Sequence, residues 1–533
     1  ERAAVFTDGR YIQQAAIQTD AAIWERRHIT DEPPPAWLAE AAPAGAPIGY
    51  DPLLVSEDGL RRYTDAGINM VPVARNPIDA VWADRPAPPM APAVPHPETY
   101  AGHSSAEKRQ DIATALRDET QDAAVITDPA SIAWLLNIRG GDVPFTPFAL
   151  GFAIQHADAT CDLFIAPAKL SDETRAWLGN GVALAAPGFA DGDPLPARLA
   201  SLHGKRVRVD PERSPAWFAQ RLRAAGAEVV AGMDPCIAPK AAKNATEQQG
   251  ARDAQARDAV AVCRFLHWLG TAAGHESELS AAEKLLAFRQ EVPGFRGESF
   301  PAISGAGENG AIIHYRVTPE SSRDIRPNEL YLIDSGAQYA DGTTDITRTV
   351  WTGPDTPTEE ARDRFTRVLK GTIAIATLVF PAGVAGPHID AFARRALWQA
   401  GIDFDHGTGH GVGSFLSVHE GPASISRAAK PAPITAGMIL SDEPGYYAPG
   451  QYGIRLENLL LVQDAEFPHA KKPFLRFETL TLAPFDRTCI ELALLTHEER
   501  NWIDAYHERV LSEIGPRLPG ELRPWLAEAC APL

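Results

Sequence analysis

Apolar and polar positions along this chain change period several times, and each change marks an element or a boundary. Over the first 83 residues short apolar runs alternate with turn signals. They start with an Ala-Val-Phe strand entering an Asp8-Gly9 turn and include a helix-like stretch around residues 10–24. Residues 84–97 hold six prolines in fourteen positions, which fixes φ and removes donors, so an extended linker is predicted. Ser104-Ser105-Ala106-Glu107 has the pattern of a capping box and opens a helix predicted to reach about Gln121. Apolar runs at 124–127, 163–166 and 207–209, with helical spacing between them as at 217–225, predict an α/β domain over 98–238.

Within 239–273, Val262, Phe265, Leu266 and Leu269 fall at i, i+3, i+4 and i+7 of one helical face. A second capping box, Ser280-Ala281-Ala282-Glu283, is expected to start the next helix. From there to 485, glycine-rich turns separate short strands and two helices near 359–379 and 388–400. The tail over 486–533 reads as helical, and no fixed short repeat is present.

Composition changes this picture only in what it excludes. At roughly 150 residues per domain, 533 residues predict three or four domains, and 45% hydrophobic with 22% charged residues is the balance of a globular chain. Acids outnumber bases by 69 to 50, a formal charge of −19, which disfavours nucleic acid and anionic membranes as partners. No apolar window is long enough to predict a membrane-spanning helix. The five cysteines are scattered and form no Cys-x-x-Cys pair, so reduced core thiols in a cytoplasmic protein are expected. The opening residues read like the middle of a domain, so the first domain is expected to lack its opening part here; a removed targeting segment would also fit.

Three stretches between 330 and 460 place acids where folding alone does not favour them. Leu330-Tyr-Leu-Ile runs into Asp334, a carboxylate that must reach solvent or find a cation, because unpaired burial is costly. Eleven residues later Asp345 opens a β-branched strand, and the Asp341-Gly342 turn between them predicts that the two strands pair. In His406-Gly-Thr-Gly-His410-Gly-Val-Gly the glycines let backbone approach a ligand closely, while the phosphate-loop and dinucleotide patterns are absent. Glu443 and Glu457 each interrupt a further apolar strand. Singly, such an acid is a solvated turn residue and such a histidine is ordinary; five in order beside strand signals point elsewhere. Four carboxylates in one cavity would repel one another, whereas two divalent ions would balance them, and oxygen ligands with one imidazole suit manganese or cobalt.

Asp334, Asp345, His410, Glu443 and Glu457 resemble, in order and spacing, the five ligands of the pita-bread metallopeptidases. Gly310-Ala-Ile-Ile-His314-Tyr315, His406 to Gly413, Val418-His419-Glu420-Gly421-Pro422 and Ser441-Asp442-Glu443-Pro444-Gly445-Tyr446-Tyr447 are similar to the long, cytosolic type of the proline-specific aminopeptidases in that family. The likeness extends to Thr7–Tyr11, Ile132–Gly140 and Leu495–His507, and so covers nearly the whole chain.

The resemblance implies a fold of α/β and α+β type: two creatinase-like α/β domains (1–90, incomplete at its start, and 98–238), a pita-bread catalytic domain (239–485) and a helical C-terminal extension (486–533). It implies removal of the N-terminal residue from peptides with proline second, by a hydroxide bridging two divalent ions, manganese first and zinc or cobalt next. By the same carry-over Asp345 and Glu457 bridge the ions, Asp334 chelates one, and His410 and Glu443 complete the other. Glu443 doubles as proton shuttle, and His314, His406 and His419 bind substrate or steady the tetrahedral intermediate. Peptide substrates, no nucleic acid, no membrane, a cytoplasmic setting and a homodimer follow as expectations. Phe300, Tyr315 and Tyr446 are expected to wall a pocket for the ring. The alternatives are a prolidase, which cuts only dipeptides; a creatinase-type hydrolase, which lacks the ligands; and a non-catalytic peptide-binding module on the same fold.

Overall fold

Short apolar runs separated by helices lie side by side as a six-stranded sheet in the computed structural model, which describes residues 2–533 apart from the side chain of Gln13. In spatial order the strands are Val182–Ala185, Cys161–Phe164, Phe152–His156, Ala123–Ile126, Arg206–Val209 and Glu228–Ala231. All neighbours are parallel except Phe152–His156, which is antiparallel to both flanking strands. This sheet belongs to a unit made of the residues up to Asp8 together with Ala15–Lys240. Two further pairs of parallel strands, Ala3–Thr7 with Trp24–His28 and Pro47–Tyr50 with Asn69–Pro72, lie in the same unit. The helix expected across residues 10–24 is only Ile12–Gln18, and Trp24 instead begins a strand. The capping box at Ser104 and Glu107 forms, and its helix runs over Ser105–Asp118. The proline-rich segment is extended, and it is also held: Ala91 N–H donates to Asp142 and Ala93 N–H to the Lys169 carbonyl.

The second unit comprises Gly9–Gln14 and Ala241–Leu533. Its larger sheet is ordered Val379–Pro381, Phe474–Thr479, Asn458–Ala465, Ile439–Asp442, Gly409–Gly411, Glu420–Ile425. A three-stranded antiparallel sheet, Ile303–Ala306, Leu330–Ser335 and Ile346–Trp351, stands beside it. The predicted apolar stripe is real: Val262, Phe265, Leu266 and Leu269 are buried against Tyr331, Ile333 and Ile346. The helix Glu359–Ala376 buries Phe365, Val368, Leu369 and Ile373 in a core shared with Ile503, Val510 and Ile514 of the C-terminal helix His497–Ile514. That burial is why the extension folds as part of this unit.

The capping box expected at Ser280 lies one turn earlier. Ser277 is the N-cap of Glu278–Gln290, its hydroxyl accepting from Ser280 N–H, while the Ser280 hydroxyl accepts from Ser277 N–H at 2.9 Å. Serine at the third position performs the reciprocal task usually assigned to Glu or Gln. The Asp341-Gly342 turn also closes a different hairpin from the one expected, between Ala337–Tyr339 and Gly342–Thr343. All five cysteines are buried and free, and no helix among the described residues is long and apolar enough to cross a membrane.

Candidate metal centre

The register of two strand pairs gathers the acids. Leu330–Ser335 pairs with Ile346–Trp351 so that Asp334 faces Thr347, which leaves Asp345 just before the second strand at the same end. Ile439–Asp442 pairs with Asn458–Ala465 so that Asp442 faces Asn458; Glu443 follows one strand and Glu457 precedes the other. The Thr347 hydroxyl donates to Glu457 at 2.8 Å and ties the two pairs together. His410 enters on the short strand Gly409–Gly411, which pairs with Ile439–Asp442 on one side and Glu420–Ile425 on the other. A Cβ on Gly409 would stand 1.9 Å from the Ser441 carbonyl oxygen and one on Gly411 2.1 Å from that of Glu420, so only glycine on either side allows this approach.

Ligand atoms of Asp345, His410 and Glu457 lie within 4.8 Å of one another. Nε2 of His410 stands 3.6 Å from Asp345 and 3.4 Å from Glu443. Nδ1 of His410 meets the Gly411 carbonyl at 3.0 Å, which places the ring proton there and leaves Nε2 as a lone pair turned toward two carboxylates. Burial pushes the His410 pKa down to about 4, so the ring is neutral. Asp345 and Glu457 are pushed well above the usual carboxylate range, first by burial and then by their acidic neighbours. Burial also raises Glu443, to about 8. One oxygen each of Asp334 and Glu457 is buried without a hydrogen-bond donor. A lone pair, orphaned carboxylate oxygens and mutually repelling acids are all satisfied by divalent cations, so the residues present fit such ions.

The surrounding groups complete the site. Arg455, wholly buried, donates to Asp334 at 2.7 Å and to the Tyr447 hydroxyl at 2.7 Å. That hydroxyl also meets Nε2 of His406 at 2.8 Å, and Nδ1 of His406 meets the Gly407 carbonyl at 2.7 Å, so both nitrogens of His406 are engaged. His419 packs edge-on against His410 with ring centroids 4.2 Å apart, and its pKa falls to about 3, first through His410 and then through burial. His314, lowered to about 4 chiefly by burial, takes a 2.7 Å hydrogen bond at Nδ1 from the Tyr11 hydroxyl.

Sequence reasoning missed Arg455, Tyr447 and Tyr11. Period-two alternation puts Arg455, the last residue of the strand Tyr452–Arg455, on the face opposite Ile454, but which face is buried shows only in the sheet. Alternation also corrects Tyr446: strand neighbours point to opposite faces, so Tyr446 packs beside Tyr452 under Arg364 while Tyr447 meets His406. Tyr315 is corrected likewise. It is buried, and its hydroxyl is bound to Glu278 and Ser321, a framework role. Phe300 lies where a Cβ on Gly336 would approach its ring edge to 3.0 Å. No local signal links Tyr11 to a histidine 303 residues away.

A hydrolytic metal centre on a pita-bread sheet is the class of site that this fold and these donors describe. Residues 249–464 match metallopeptidase family M24, residues 84–247 the creatinase/prolidase N-terminal domain, and residues 473–533 the C-terminal region of peptidase M24. The chain is 40% identical over 527 residues to a probable Xaa-Pro aminopeptidase P of Coccidioides posadasii, covering 96% of this chain and 86% of that protein. It is 38% identical over 558 residues to a probable Xaa-Pro aminopeptidase P of Laccaria bicolor, covering 100% and 85%. The solved X-prolyl aminopeptidase of Caenorhabditis elegans, described as a cytosolic enzyme with a di-nuclear active site, has a TM-score of 0.92 and 34% identity, covering 100% of this chain and 89% of that one. The chain belongs to metallopeptidase family M24.

Proposed function

We propose that this chain is a metal-dependent Xaa-Pro aminopeptidase, releasing the first residue of peptides whose second residue is proline. The observation that supports it most directly is the convergence of Asp345, His410 and Glu457 within 4.8 Å, flanked by Asp334 and Glu443, in an M24 chain. Asp334, Asp345, His410, Glu443 and Glu457 would together hold two divalent ions, with Asp345 and Glu457 at the middle of the donor set. Manganese is the ion we expect, and such a pair supplies Lewis-acid polarisation of the scissile carbonyl and an activated water.

The chain's own residues do the rest. Glu443 would take the proton released by the attacking water and return it to the leaving nitrogen. His419, neutral and beside His410, would donate to the scissile carbonyl oxygen as negative charge grows there. His314, its Nδ1 turned to Tyr11, presents Nε2 to substrate. His406 is placed to hold the Tyr447 hydroxyl, and Arg455 reaches from that hydroxyl to Asp334. The Xaa-Pro bond has no N–H, so peptidases that grip this hydrogen lose their handle, whereas polarising the carbonyl needs none.

We further propose a cytoplasmic homodimer, to be checked by fractionation and by light scattering of the full chain against one truncated after 489. The deciding assay compares Arg-Pro-Pro with Gly-Pro after chelation and readdition of manganese. Release of arginine from the tripeptide is the expected result. Cleavage of the dipeptide alone would replace this reading with a prolidase, and metal-independent silence would favour a binding module.

A further inference from the structure

Four arginines are almost wholly buried: Arg289, Arg348, Arg394 and Arg455. Three hold carboxylates, Arg289 with Asp258 at 2.9 Å, Arg394 with Asp390 at 2.6 Å and Arg455 with Asp334 at 2.7 Å. Among the described residues Arg348 forms no ion pair. It donates instead to neutral oxygens: the carbonyls of Thr347 (2.9 Å), Glu457 (2.6 Å), Ala483 (2.8 Å) and Pro484 (3.2 Å), the amide oxygen of Asn458 (2.9 Å), and the Tyr506 hydroxyl (3.0 Å). A buried guanidinium without a carboxylate in contact is costly unless charge is balanced close by. Arg348 reaches the acid cluster through Glu457, whose backbone carbonyl it grips and whose carboxylate belongs to that cluster.

Strand alternation explains the geometry. Thr347 points to the cluster and binds the Glu457 carboxylate, while Arg348, its neighbour, points away and binds the backbone of Glu457 and the side chain of Asn458. The far side of Arg348 is closed by the C-terminal helix. Tyr506 accepts from Arg348 and its hydroxyl lies 2.8 Å from the Ala483 carbonyl; His507 accepts the Phe485 N–H at 3.1 Å; and the Phe485 ring lies 4.3 Å from the Arg348 guanidinium carbon. The C-terminal extension contributes none of the five clustered residues, yet its Tyr506 is one hydrogen bond from the group that holds Glu457.

We propose that Tyr506 and Arg348 are positioning residues for Glu457, through which the C-terminal extension sets the divalent-ion affinity of the centre. This rests on the metal-centre part of the function proposed above, not on its choice of peptide. The test is calorimetric titration of chelated full-length protein with manganese, using Tyr506→Phe, Arg348→Lys and, as a packing control on the same helix, Val510→Ala. Val510 is fully buried, so its truncation removes packing and no hydrogen bond. Tyr506→Phe and Arg348→Lys should weaken manganese binding about tenfold, as lost ligand-orienting groups do. Val510→Ala should lower the unfolding temperature while leaving manganese affinity within about twofold of the wild type, by the same argument. The isosteric Tyr506→Phe keeps the test readable should Arg348→Lys fail to fold. Unchanged affinity in Tyr506→Phe, or equal weakening in Val510→Ala, overturns the proposal. A wild-type protein that takes up no manganese overturns it together with the metal centre. Manganese uptake without Xaa-Pro cleavage removes only the peptidase reading.

Discussion

Arg455 is the residue on which most of the site's second layer depends. It neutralises Asp334, orients Tyr447 and through it His406, and has no exposure with which to recover lost hydrogen bonds. Removing one partner of a buried ion pair strands the other, at a cost of about 3–5 kcal/mol. Arg455→Met is therefore expected to lose that much in urea unfolding of the metal-free protein; a change below about 1 kcal/mol, the size of an exposed pair, would refute the buried-pair account. The four acids and the histidine were legible in the sequence because each breaks a short apolar strand or a glycine run, a local anomaly visible without coordinates. Arg455 was hidden because a basic residue between apolar neighbours looks like any strand's solvent-facing position until the sheet shows which face is buried. Tyr11 was hidden by distance alone.

Elements carry a second kind of information. The helix His497–Ile514 was readable as a helix, and its Thr496–Glu499 capping box forms. What it holds was not readable, since the grip of His507 on Phe485 and of Tyr506 on Arg348 needs the segment 481–485 beside it. This helix also predicts a pH response. Burial lowers the His507 pKa from the ordinary 6.5 to about 4, with Nε2 accepting the Phe485 N–H and Nδ1 buried without a partner. The unfolded chain therefore takes up the proton first as acid is added. Stability from the neutral ring is complete above pH 6.5 and is lost as pH falls toward 4, by at most about 1.4 kcal/mol per pH unit. Urea unfolding between pH 7 and pH 4 should show this slope, and His507→Gln, which retains an acceptor but does not titrate, should flatten it. An unaltered slope in that variant would assign the response to other groups. The misplaced capping box at Ser280 has an equally physical cause: a pattern built on Glu or Gln overlooks a serine hydroxyl that makes the same reciprocal bond from Ser277.

At the scale of the whole molecule, charge and metal are linked. The net charge of −19 is spread over 69 acids and 50 bases and describes a solvated surface more than a partner. Within the centre, burial and acidic neighbours push Asp345 and Glu457 well up, and burial raises Glu443 to about 8, so Glu443 holds a proton at pH 7 when no cation is near. Divalent ions need the ionised forms, so binding must release protons and affinity must rise with pH. Manganese titrations in phosphate and in Tris at pH 7 should give different apparent enthalpies, in proportion to each buffer's ionisation enthalpy. Equal enthalpies would contradict the raised pKa values. Saturating metal at one hundred times its Kd should also stabilise the protein by about 2.7 kcal/mol, read as a rise in unfolding temperature over the chelated form.

By itself the sequence singled out Asp334, Asp345, His410, Glu443 and Glu457 as out of place for folding alone, and it determined the type of most elements. Hydrophobic period, turn residues and caps are properties of a few neighbouring positions, and an acid in the wrong period stands out within that window. Tertiary structure alone decided which strand faces meet, that His410 turns Nε2 rather than Nδ1 toward the acids, and that Arg455, Tyr447, Tyr11 and the Tyr506–Arg348 pair surround them. Those outcomes depend on sheet register and on contacts between residues as far as 303 positions apart. Such contacts form only when burial of the shared core brings distant segments together, and no local pattern encodes them.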